Sequence, residues 1–315
     1  MSGNFELHAV TGAFGFTGRY IAQRLINAGK RVRALIGRNR PNPFGDRIEV
    51  ARLQFDDFQA LVDSLKGVDV LYNTYWVRFN YGETTFERAV QNSQMLIRAA
   101  EEAGVRRLVH ISITNPSEDS PLPYFRSKAL VERAIRNSSL SYGIIRPTVL
   151  FGEGDILLNN IAYFLRRFPI FIVPGKGDYR LQPVYVDDVA ALAVEAGERM
   201  DNFALDAVGP EVFTFAELVR LIRDAVGSKA KIVHAPPSLT MLCIRVLNYF
   251  VNDIVLTREE LEGLMANLLV SDQPPTCPTR FSEWLRENAE QMGLHYASEL
   301  KRHFLTTSAV GCLLL

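Results

Sequence analysis

The chain has 315 residues, of which 48% are hydrophobic and 22% are charged. This balance is ordinary for globular proteins and excludes a disordered or fibrous chain. Lysine and arginine together number 35, as do aspartate and glutamate, so the formal net charge is zero. The overall charge therefore gives no general reason to expect nucleic acid or an anionic membrane as a partner.

The three cysteines, at positions 243, 277 and 312, are far apart and form no C-x-x-C pair. They argue against a disulfide framework, and the five histidines have no metal-ligand spacing, so we expect no metal site. Reduced cysteines and the absence of a visible signal peptide favour a cytoplasmic protein. The most apolar internal stretch, residues 239–251, is too short to span a bilayer, and the apolar tail 309–315 is shorter still.

Short apolar runs alternate with longer periodic segments through the first half of the chain. Strands are predicted at residues 5–10, 32–36, 48–53, 68–73, 105–111 and 142–146, and helices at 16–28, 57–66, 84–103 and 124–136. Such alternation is typical of βαβ units, and several runs are apolar at both alternate positions, as in strands covered on both faces. The sequence therefore predicts an α/β fold with a doubly wound, Rossmann-type parallel sheet.

The rhythm changes after Pro147. Helices are predicted at residues 155–168, 184–197 and 214–226, with strands at 203–207 and 231–234. The remainder, 238–303, is predicted to be mostly helical, with a proline-rich loop at 272–278. We expect a Rossmann domain at residues 1–198 and a smaller, mostly helical part at 199–315 that selects a substrate or partner.

A glycine-rich turn, T-G-x-x-G-x-x-G at residues 11–18, joins the first predicted strand to the first helix. Glycines let the backbone turn sharply and approach a pyrophosphate, and the helix N-terminus supplies N–H donors. Gly12, Gly15 and Gly18 are therefore predicted to bind a dinucleotide. The alternative is a tight turn without a ligand.

Arg38 lies just after the second predicted strand, where a cofactor with a free ribose 2′-hydroxyl usually meets an acidic residue. A guanidinium instead suits a 2′-phosphate, through bidentate charge-assisted hydrogen bonds. The sequence thus favours NADP over NAD, with a solvated loop arginine as the alternative.

Tyr124 and Lys128 form a Y-x-x-x-K pair on a predicted helix. Their spacing puts the phenol and the ammonium one turn apart on the same face. A nearby ammonium favours the phenolate, so Tyr124 is predicted to exchange a proton with a substrate near neutral pH. Lys128 is also predicted to contact the nicotinamide ribose. An ordinary pair on a helix surface is the alternative.

Four segments together resemble the extended and atypical branches of the short-chain dehydrogenase/reductase superfamily, which includes NAD(P)-dependent epimerases and dehydratases. They are TGAFGFTG (11–18), YFRSK (124–128), RPTVLFGEGD (146–155) and PVYVDDVA (183–190). The chain is most similar to the group that includes the 39-kDa nucleotide-binding subunit of respiratory complex I. The resemblance implies an NAD(P)-binding Rossmann domain.

Further site residues are implied by the resemblance alone. It assigns backbone N–H donors at the phosphates to Phe14 and Phe16, and contacts with adenine to Gln54 and Phe55. It places Thr74 beside the nicotinamide, and Pro147 and Thr148 in the loop at the carboxamide. It also implies that Ser112 or Thr114 holds the substrate oxygen.

Three functions remain open at this point. The first is an NADP-dependent oxidoreductase or epimerase that acts on an unidentified small molecule. The second is a non-catalytic NADP-binding protein that serves as a structural, sensor or assembly subunit, which the bulky Tyr75 and Trp76 favour. The third and weakest is a peripheral membrane or subunit contact through residues 239–251 and 309–315. No nucleic acid partner is expected, and the oligomeric state is open.

Overall fold

The computed structural model describes residues 6–38 and 40–304. The strands, in chain order, are β1 (Leu7–Thr11), β2 (Arg31–Ile36), β3 (Glu49–Arg52), β4 (Val70–Asn73), β5 (Arg107–Ile111), β6 (Ser141–Pro147), β7 (Val149–Phe151), β8 (Ile170–Pro174), β9 (Arg180–Leu181), β10 (Pro183–Tyr185), β11 (Phe203–Ala207), β12 (Phe213–Thr214) and β13 (Lys231–Ala235). The helices are α1 (Phe16–Asn27), α2 (Phe58–Leu65), α3 (Phe86–Glu102), α4 (Pro123–Arg136), α5 (Leu157–Arg167), α6 (Val186–Glu198), α7 (Phe215–Ala225), α8 (Pro237–Val251), α9 (Arg258–Met265), α10 (Phe281–Asn288) and α11 (Glu299–His303).

The chain divides into two compact units that do not follow the expected boundary between residues 198 and 199. Unit 1 comprises Met1–Pro147 and Val186–Ala207, and unit 2 comprises Thr148–Tyr185 and Val208–Leu315. The chain leaves unit 1 after β6 and returns to it for α6 and β11, because β11 pairs with β6 in the same sheet. This return involves pairing between distant segments, which local sequence patterns do not encode.

Unit 1 is built on a seven-stranded sheet in the order β11-β6-β5-β4-β1-β2-β3. All of its neighbouring strands are parallel. The order proceeds in one direction from β1 through β2 and β3, and in the other through β4, β5 and β6. The carboxyl ends of β1 and β4 therefore lie at the point where the strand order reverses, which is where doubly wound sheets bind ligands. The predicted fold class is confirmed.

The composition of the central strands explains their position in the sheet. Every residue of β1, β4 and β5 is buried, as expected for strands covered by helices on both faces. The Asp57 carboxylate accepts a hydrogen bond from the Ala60 N–H and caps α2, while Thr85 caps α3 through the Arg88 N–H. The apolar sides of these helices join the strands in one core.

Unit 2 has its own hydrophobic core and contains α5 and α7 to α11. Thr214 opens α7 with a capping box, as the amphipathic pattern predicts. The unit also contains three two-stranded sheets, formed by β7 with β10, β8 with β13, and β9 with β12. Most of these strands have two or three residues, too few for a periodic pattern to reveal them.

No helix within the described part of the chain has the length and apolar character needed to cross a bilayer. The apolar segment 309–315 lies outside the described residues.

Candidate functional site

The glycine-rich turn after β1 is a tightly folded loop at the carboxyl edge of the sheet. Gly12 has a φ of +62°, a conformation that side chains disfavour, and its N–H donates to the Leu35 carbonyl at 3.0 Å. A Cβ at Gly18 would lie 2.3 Å from the Gly12 oxygen, and one at Gly15 would lie 3.1 Å from it. The geometry of the turn thus requires glycine at positions 12 and 18 and leaves little room for a side chain at Gly15.

The first turn of α1 is a fitting place for a phosphate. Its N-cap is Gly15, which provides no side-chain hydrogen bond, and there is no acidic residue in the first turn. The N–H groups at the start of any helix lack acceptors within the helix and carry the positive end of its dipole. Phe16 begins the helix, and Phe14 lies in the turn, where its ring contacts Phe44 at a centroid distance of 6.3 Å.

Two arginines follow β2 beside this turn. Arg38 is exposed. Arg40 is half-buried, and one of its terminal guanidinium nitrogens lies 4.0 Å from the position that a Gly15 Cβ would occupy. Burial, and then the charge of Arg38, lower the pKa of Arg40. Two neighbouring cations beside a glycine-rich turn form a favourable environment for a bound anion.

Hydrogen bonds join the ends of β1 and β4. The Thr11 hydroxyl donates to the Asn73 side-chain oxygen at 3.1 Å and accepts from the Thr74 N–H at 2.7 Å. The Thr74 hydroxyl donates to the Thr11 carbonyl at 2.5 Å. The hydroxyl of Thr74, predicted to lie beside the nicotinamide, therefore stabilises the strand ends.

The residues that the resemblance assigns to adenine follow β3. Gln54 and Phe55 are both half-buried, and the Phe55 ring contacts the Tyr75 ring at a centroid distance of 4.9 Å. The Tyr75 hydroxyl accepts a hydrogen bond from the Asn92 amide at 2.9 Å. Tyr75 is thus held by neighbours on two elements and forms part of the wall at this edge.

Lys128 is the most perturbed cation of the site. Its side chain lies on α4 in a residue that is only 3% exposed, and its Nζ donates to the Ile111 carbonyl at 3.0 Å. Burial lowers the pKa of Lys128 to about 7, although the Glu132 carboxylate opposes the shift. Near neutral pH the amine therefore exists in both its charged and neutral forms, and can accept or give up a proton.

Trp76 lies against both members of the Tyr–Lys pair. The Lys128 Nζ is 4.4 Å from the centre of the Trp76 ring, within the range of a cation–π contact. The Tyr124 ring is perpendicular to Trp76, with the ring centroids 6.1 Å apart, and also contacts Phe86 at 5.8 Å. The predicted pair is thus brought into one aromatic cluster.

Ser112 and Thr114, both offered for the substrate oxygen, differ in their environments. The Thr114 hydroxyl donates to the Asp206 carboxylate at 3.2 Å. The Ser112 hydroxyl is buried and has no hydrogen-bond partner among the described residues. Because an unpaired buried hydroxyl is costly, Ser112 is the better candidate for a bound ligand.

The last predicted site residues follow the sixth strand. Pro147 ends β6, and its carbonyl accepts a hydrogen bond from the Thr114 N–H at 3.0 Å. The Thr148 hydroxyl is buried without a partner among the described residues. No cluster of three or more histidine, cysteine, aspartate or glutamate side chains that could hold a metal is found within residues 6–38 and 40–304.

Two features of this site were not predicted from the sequence. No role is predicted for Arg40 from the sequence, although its position two residues after Arg38 is an available signal. The contact of Trp76 with Lys128 joins residues 52 positions apart and has no local sequence signal.

The parallel sheet and the glycine-rich turn at its switch point define an NAD(P)-binding Rossmann-type protein. The model of the NAD dependent epimerase/dehydratase family matches residues 8–206, and the chain belongs to that family. The resemblance to the extended short-chain dehydrogenases/reductases is thereby confirmed.

Several curated proteins are similar to the chain. One is NADH dehydrogenase (ubiquinone) 1 alpha subcomplex subunit 9 of Arabidopsis thaliana, which is 28% identical over 286 residues, covering 84% of this chain and 70% of the relative. Another is the ceramide reductase of Caulobacter vibrioides, which is 27% identical over 232 residues, covering 72% and 73% of the two chains.

Among solved structures, an NADPH-dependent quinone oxidoreductase from Escherichia coli has the same fold. Its TM-score is 0.70 at 19% identity, covering 89% of this chain and 99% of the other.

The Arabidopsis relative corrects one expectation. The sequence predicts an unidentified small-molecule substrate, with subunit contact only as an open possibility. Relatives named as subunits of NADH dehydrogenase contradict that expectation, because they imply subunit contacts.

Proposed function

We propose that this chain is an NADP-binding oxidoreductase in which Tyr124 and Lys128 handle the proton. The observation that carries the proposal is the buried Lys128, whose pKa of about 7 lies where a proton-transfer group is most effective. A bound nicotinamide would supply the hydride chemistry. The family membership and the glycine-rich turn support cofactor binding, and the titratable pair supports a reaction.

The preference for NADP rests on Arg38 and Arg40. A guanidinium pairs with a phosphate dianion through charge-assisted hydrogen bonds, worth roughly 1.5–3 kcal/mol. We expect Arg38, at the exposed rim, to contact the 2′-phosphate. The half-buried Arg40 lies against the glycine-rich turn and is suited to the pyrophosphate.

Substituting the two arginines separately tests this division. Arg38→Ala should weaken NADPH binding by roughly tenfold to a hundredfold and leave NADH binding unchanged. Arg40→Ala should weaken both cofactors, since both contain the pyrophosphate. If Arg38→Ala weakens NADPH and NADH equally, Arg38 does not recognise the 2′-phosphate.

The proposed reaction assigns one role to each polar side chain. Tyr124 donates a proton to the substrate oxygen, and Ser112 holds that oxygen through its hydroxyl, which has no partner within residues 6–38 and 40–304. Lys128 stores the proton that returns the phenolate to its neutral form, because its amine is partly protonated near pH 7. The substrate is a small carbonyl or nucleotide-sugar compound, as the family membership suggests.

Tyr124→Phe tests the chemistry without removing the ring contacts with Trp76 and Phe86. It should abolish the turnover of any substrate found by screening carbonyl and nucleotide-sugar compounds for NADPH oxidation, while NADPH affinity stays unchanged. Phe125→Leu, a neighbouring aromatic change, serves as the control and should retain turnover. A substrate turned over equally well by the Tyr124→Phe variant would contradict the role of Tyr124.

A second function is favoured by a different observation. Trp76 lies against the Lys128 amine at 4.4 Å, which closes one side of the residue expected to contact the cofactor ribose. A relative is named as a subunit of NADH dehydrogenase, which fits a chain whose cofactor is structural and whose partners are other subunits. In that case the parent has no NADPH oxidation activity.

The two functions differ in their response to Trp76→Ala. For an enzyme, the change uncovers Lys128 and alters the kcat of an activity that the parent already has. For a structural cofactor site, no activity appears in either protein, and NADPH only raises the unfolding temperature. Saturation at a hundred times Kd should stabilise the fold by about 2.7 kcal/mol.

A further inference from the structure

The helix α8 exposes an apolar face that no described residue covers. Its exposed members are Leu239, Leu242, Val246, Tyr249 and Phe250. At 3.6 residues per turn, these five positions lie within an arc of about 100°. Tyr249 is 85% exposed and Phe250 is 77% exposed, which is unusual for aromatic side chains in a protein that remains in water.

The opposite side of α8 is fixed to unit 2. Thr240 is buried there, and the helix packs on β8 and directly follows β13. At its end, Asp253 accepts hydrogen bonds from the Glu299 and Leu300 N–H groups and from the Tyr296 hydroxyl. The apolar face is therefore presented by an anchored helix.

The two segments of the chain that contain β8, β13 and α8 depart from the neutral balance of the whole chain. Residues 156–177 and 225–252, which contain β8, β13 and α8, include six lysines and arginines and no aspartate or glutamate. Five of these cations are exposed, namely Arg167, Lys176, Lys229, Lys231 and Arg245. The exposed Asp178 and Asp224 adjoin these segments, so five exposed cations face two exposed carboxylates, and this excess of positive charge favours an anionic partner.

Further exposed apolar residues accompany these cations. Phe168, at the end of α5, and Ile170, the first residue of β8, are 44% and 51% exposed. Arg167, Phe168 and Lys229 line one open depression of the surface. Aromatic and aliphatic side chains next to lysines and arginines are typical of segments that lie in the headgroup region of a membrane.

We propose that α8 and the exposed basic residues of segments 156–177 and 225–252 form a site that binds an anionic lipid surface. The helix has 15 residues and a length of about 22 Å, so it would lie along the membrane rather than cross it. Tyr249 and Phe250 enter the headgroup boundary, and the exposed lysines and arginines pair with lipid phosphates. This inference is independent of the cofactor site.

Vesicle flotation of the full chain tests the proposal. The probes are vesicles of phosphatidylcholine alone and vesicles of phosphatidylcholine with phosphatidylglycerol in a ratio of roughly two to one. The parent should bind the mixed vesicles more tightly, and high salt should remove most of that difference. Absence of binding to both kinds of vesicle would overturn the proposal.

Two double variants separate the apolar and the electrostatic contributions. Tyr249→Ser with Phe250→Ser should weaken binding to mixed vesicles by roughly tenfold or more. Its control changes two exposed apolar residues elsewhere in unit 2, Val212→Ser with Leu294→Ser, and should bind like the parent. Equal binding by the Tyr249, Phe250 variant and the parent would contradict the role of α8.

Lys229→Gln with Lys231→Gln should weaken binding to mixed vesicles by about thirtyfold and leave binding to neutral vesicles unchanged. Its control, Lys66→Gln with Arg52→Gln, removes two exposed cations of unit 1 and should have no effect. Equal losses of binding in the Lys229, Lys231 variant and in its Lys66, Arg52 control would contradict a local basic site.

A tryptophan introduced on this face reports insertion as the change in emission relative to the parent, which already contains Trp76 and Trp284. The emission of Tyr249→Trp should shift to the blue on mixed vesicles and should be quenched by brominated lipid. If the parent instead self-associates with concentration, and Tyr249→Ser with Phe250→Ser prevents this without any vesicle binding, the face is an interface between two copies and the lipid proposal is wrong.

Discussion

Replacing Lys128 by methionine removes a buried amine while keeping a long apolar side chain in its place. In the folded protein burial lowers the pKa of Lys128 from 10.5 to about 7. Above pH 10.5 the amine is neutral in both the folded and the unfolded chain, so it does not oppose folding. Below about pH 7 it is charged in both states, and folding includes the full cost of burying the charge.

Between these limits the unfolded chain binds more protons than the folded protein, so the free energy of unfolding rises with pH. At about 1.4 kcal/mol per pKa unit, integration over the two titrations gives a rise of about 2.5 kcal/mol between pH 6 and pH 9. His110, whose pKa is lowered well below its usual value by burial and then by the charge of Lys128, also contributes, because its imidazole binds more protons near pH 6 in the unfolded chain than in the folded protein.

Urea denaturation of the parent and of Lys128→Met at pH 6 and pH 9 measures this difference. Between pH 6 and pH 9, the free energy of unfolding of the parent should rise by about 2.5 kcal/mol more than that of the variant. The other titrating groups are common to both proteins, so their contributions cancel apart from the effect of the Lys128 charge on the pKa of His110. Lys66→Met, which removes an exposed lysine, is the control and should follow the parent. Equal gains by the parent and Lys128→Met would refute the lowered pKa of Lys128.

Three further predictions concern the turn and the caps. Gly18→Ala puts a methyl group 2.3 Å from the Gly12 oxygen, so it should abolish NADPH binding in calorimetry. The control Gly37→Ala, whose new methyl group has its nearest contact at 3.6 Å, should bind NADPH normally. Normal NADPH binding by Gly18→Ala would be evidence against the turn as the site. Asp57→Ala should lower the free energy of unfolding by about 1 kcal/mol through the loss of the α2 cap, and denaturation midpoints unchanged from the parent would contradict it. Asp253→Ala leaves several N–H groups and a hydroxyl without their acceptor, so it should destabilise the protein by about 3 kcal/mol, and a loss below 1 kcal/mol would contradict that role.

The core of unit 1 could be predicted from the sequence because its signals are local. Strands buried on both faces are continuous apolar runs, and Gly29, with a φ of +71°, stops α1 where the sequence indicates. The small sheets of unit 2 and the return of β11 to the main sheet could not be predicted, since they depend on pairing between distant segments of two to five residues.

The candidate site was predictable to the same extent. The glycine-rich turn and the Tyr124, Lys128 pair have fixed spacings with a physical meaning, and the structure brings each to the carboxyl edge of the sheet or the helix beside it. The contact between Trp76 and Lys128, the unpaired hydroxyl of Ser112 and the half-burial of Arg40 arise only when the chain is folded. They are properties of packing, and a single sequence contains no pattern for them.

Calorimetric titration of the full chain with NADPH and with NADH tests the central claim most directly. The two cofactors differ only by the 2′-phosphate that Arg38 is proposed to contact. We predict that NADPH binds with a Kd roughly tenfold or more below that of NADH. If neither cofactor binds, or if NADH binds more tightly than NADPH, the assignment of this chain as an NADP-binding protein is contradicted.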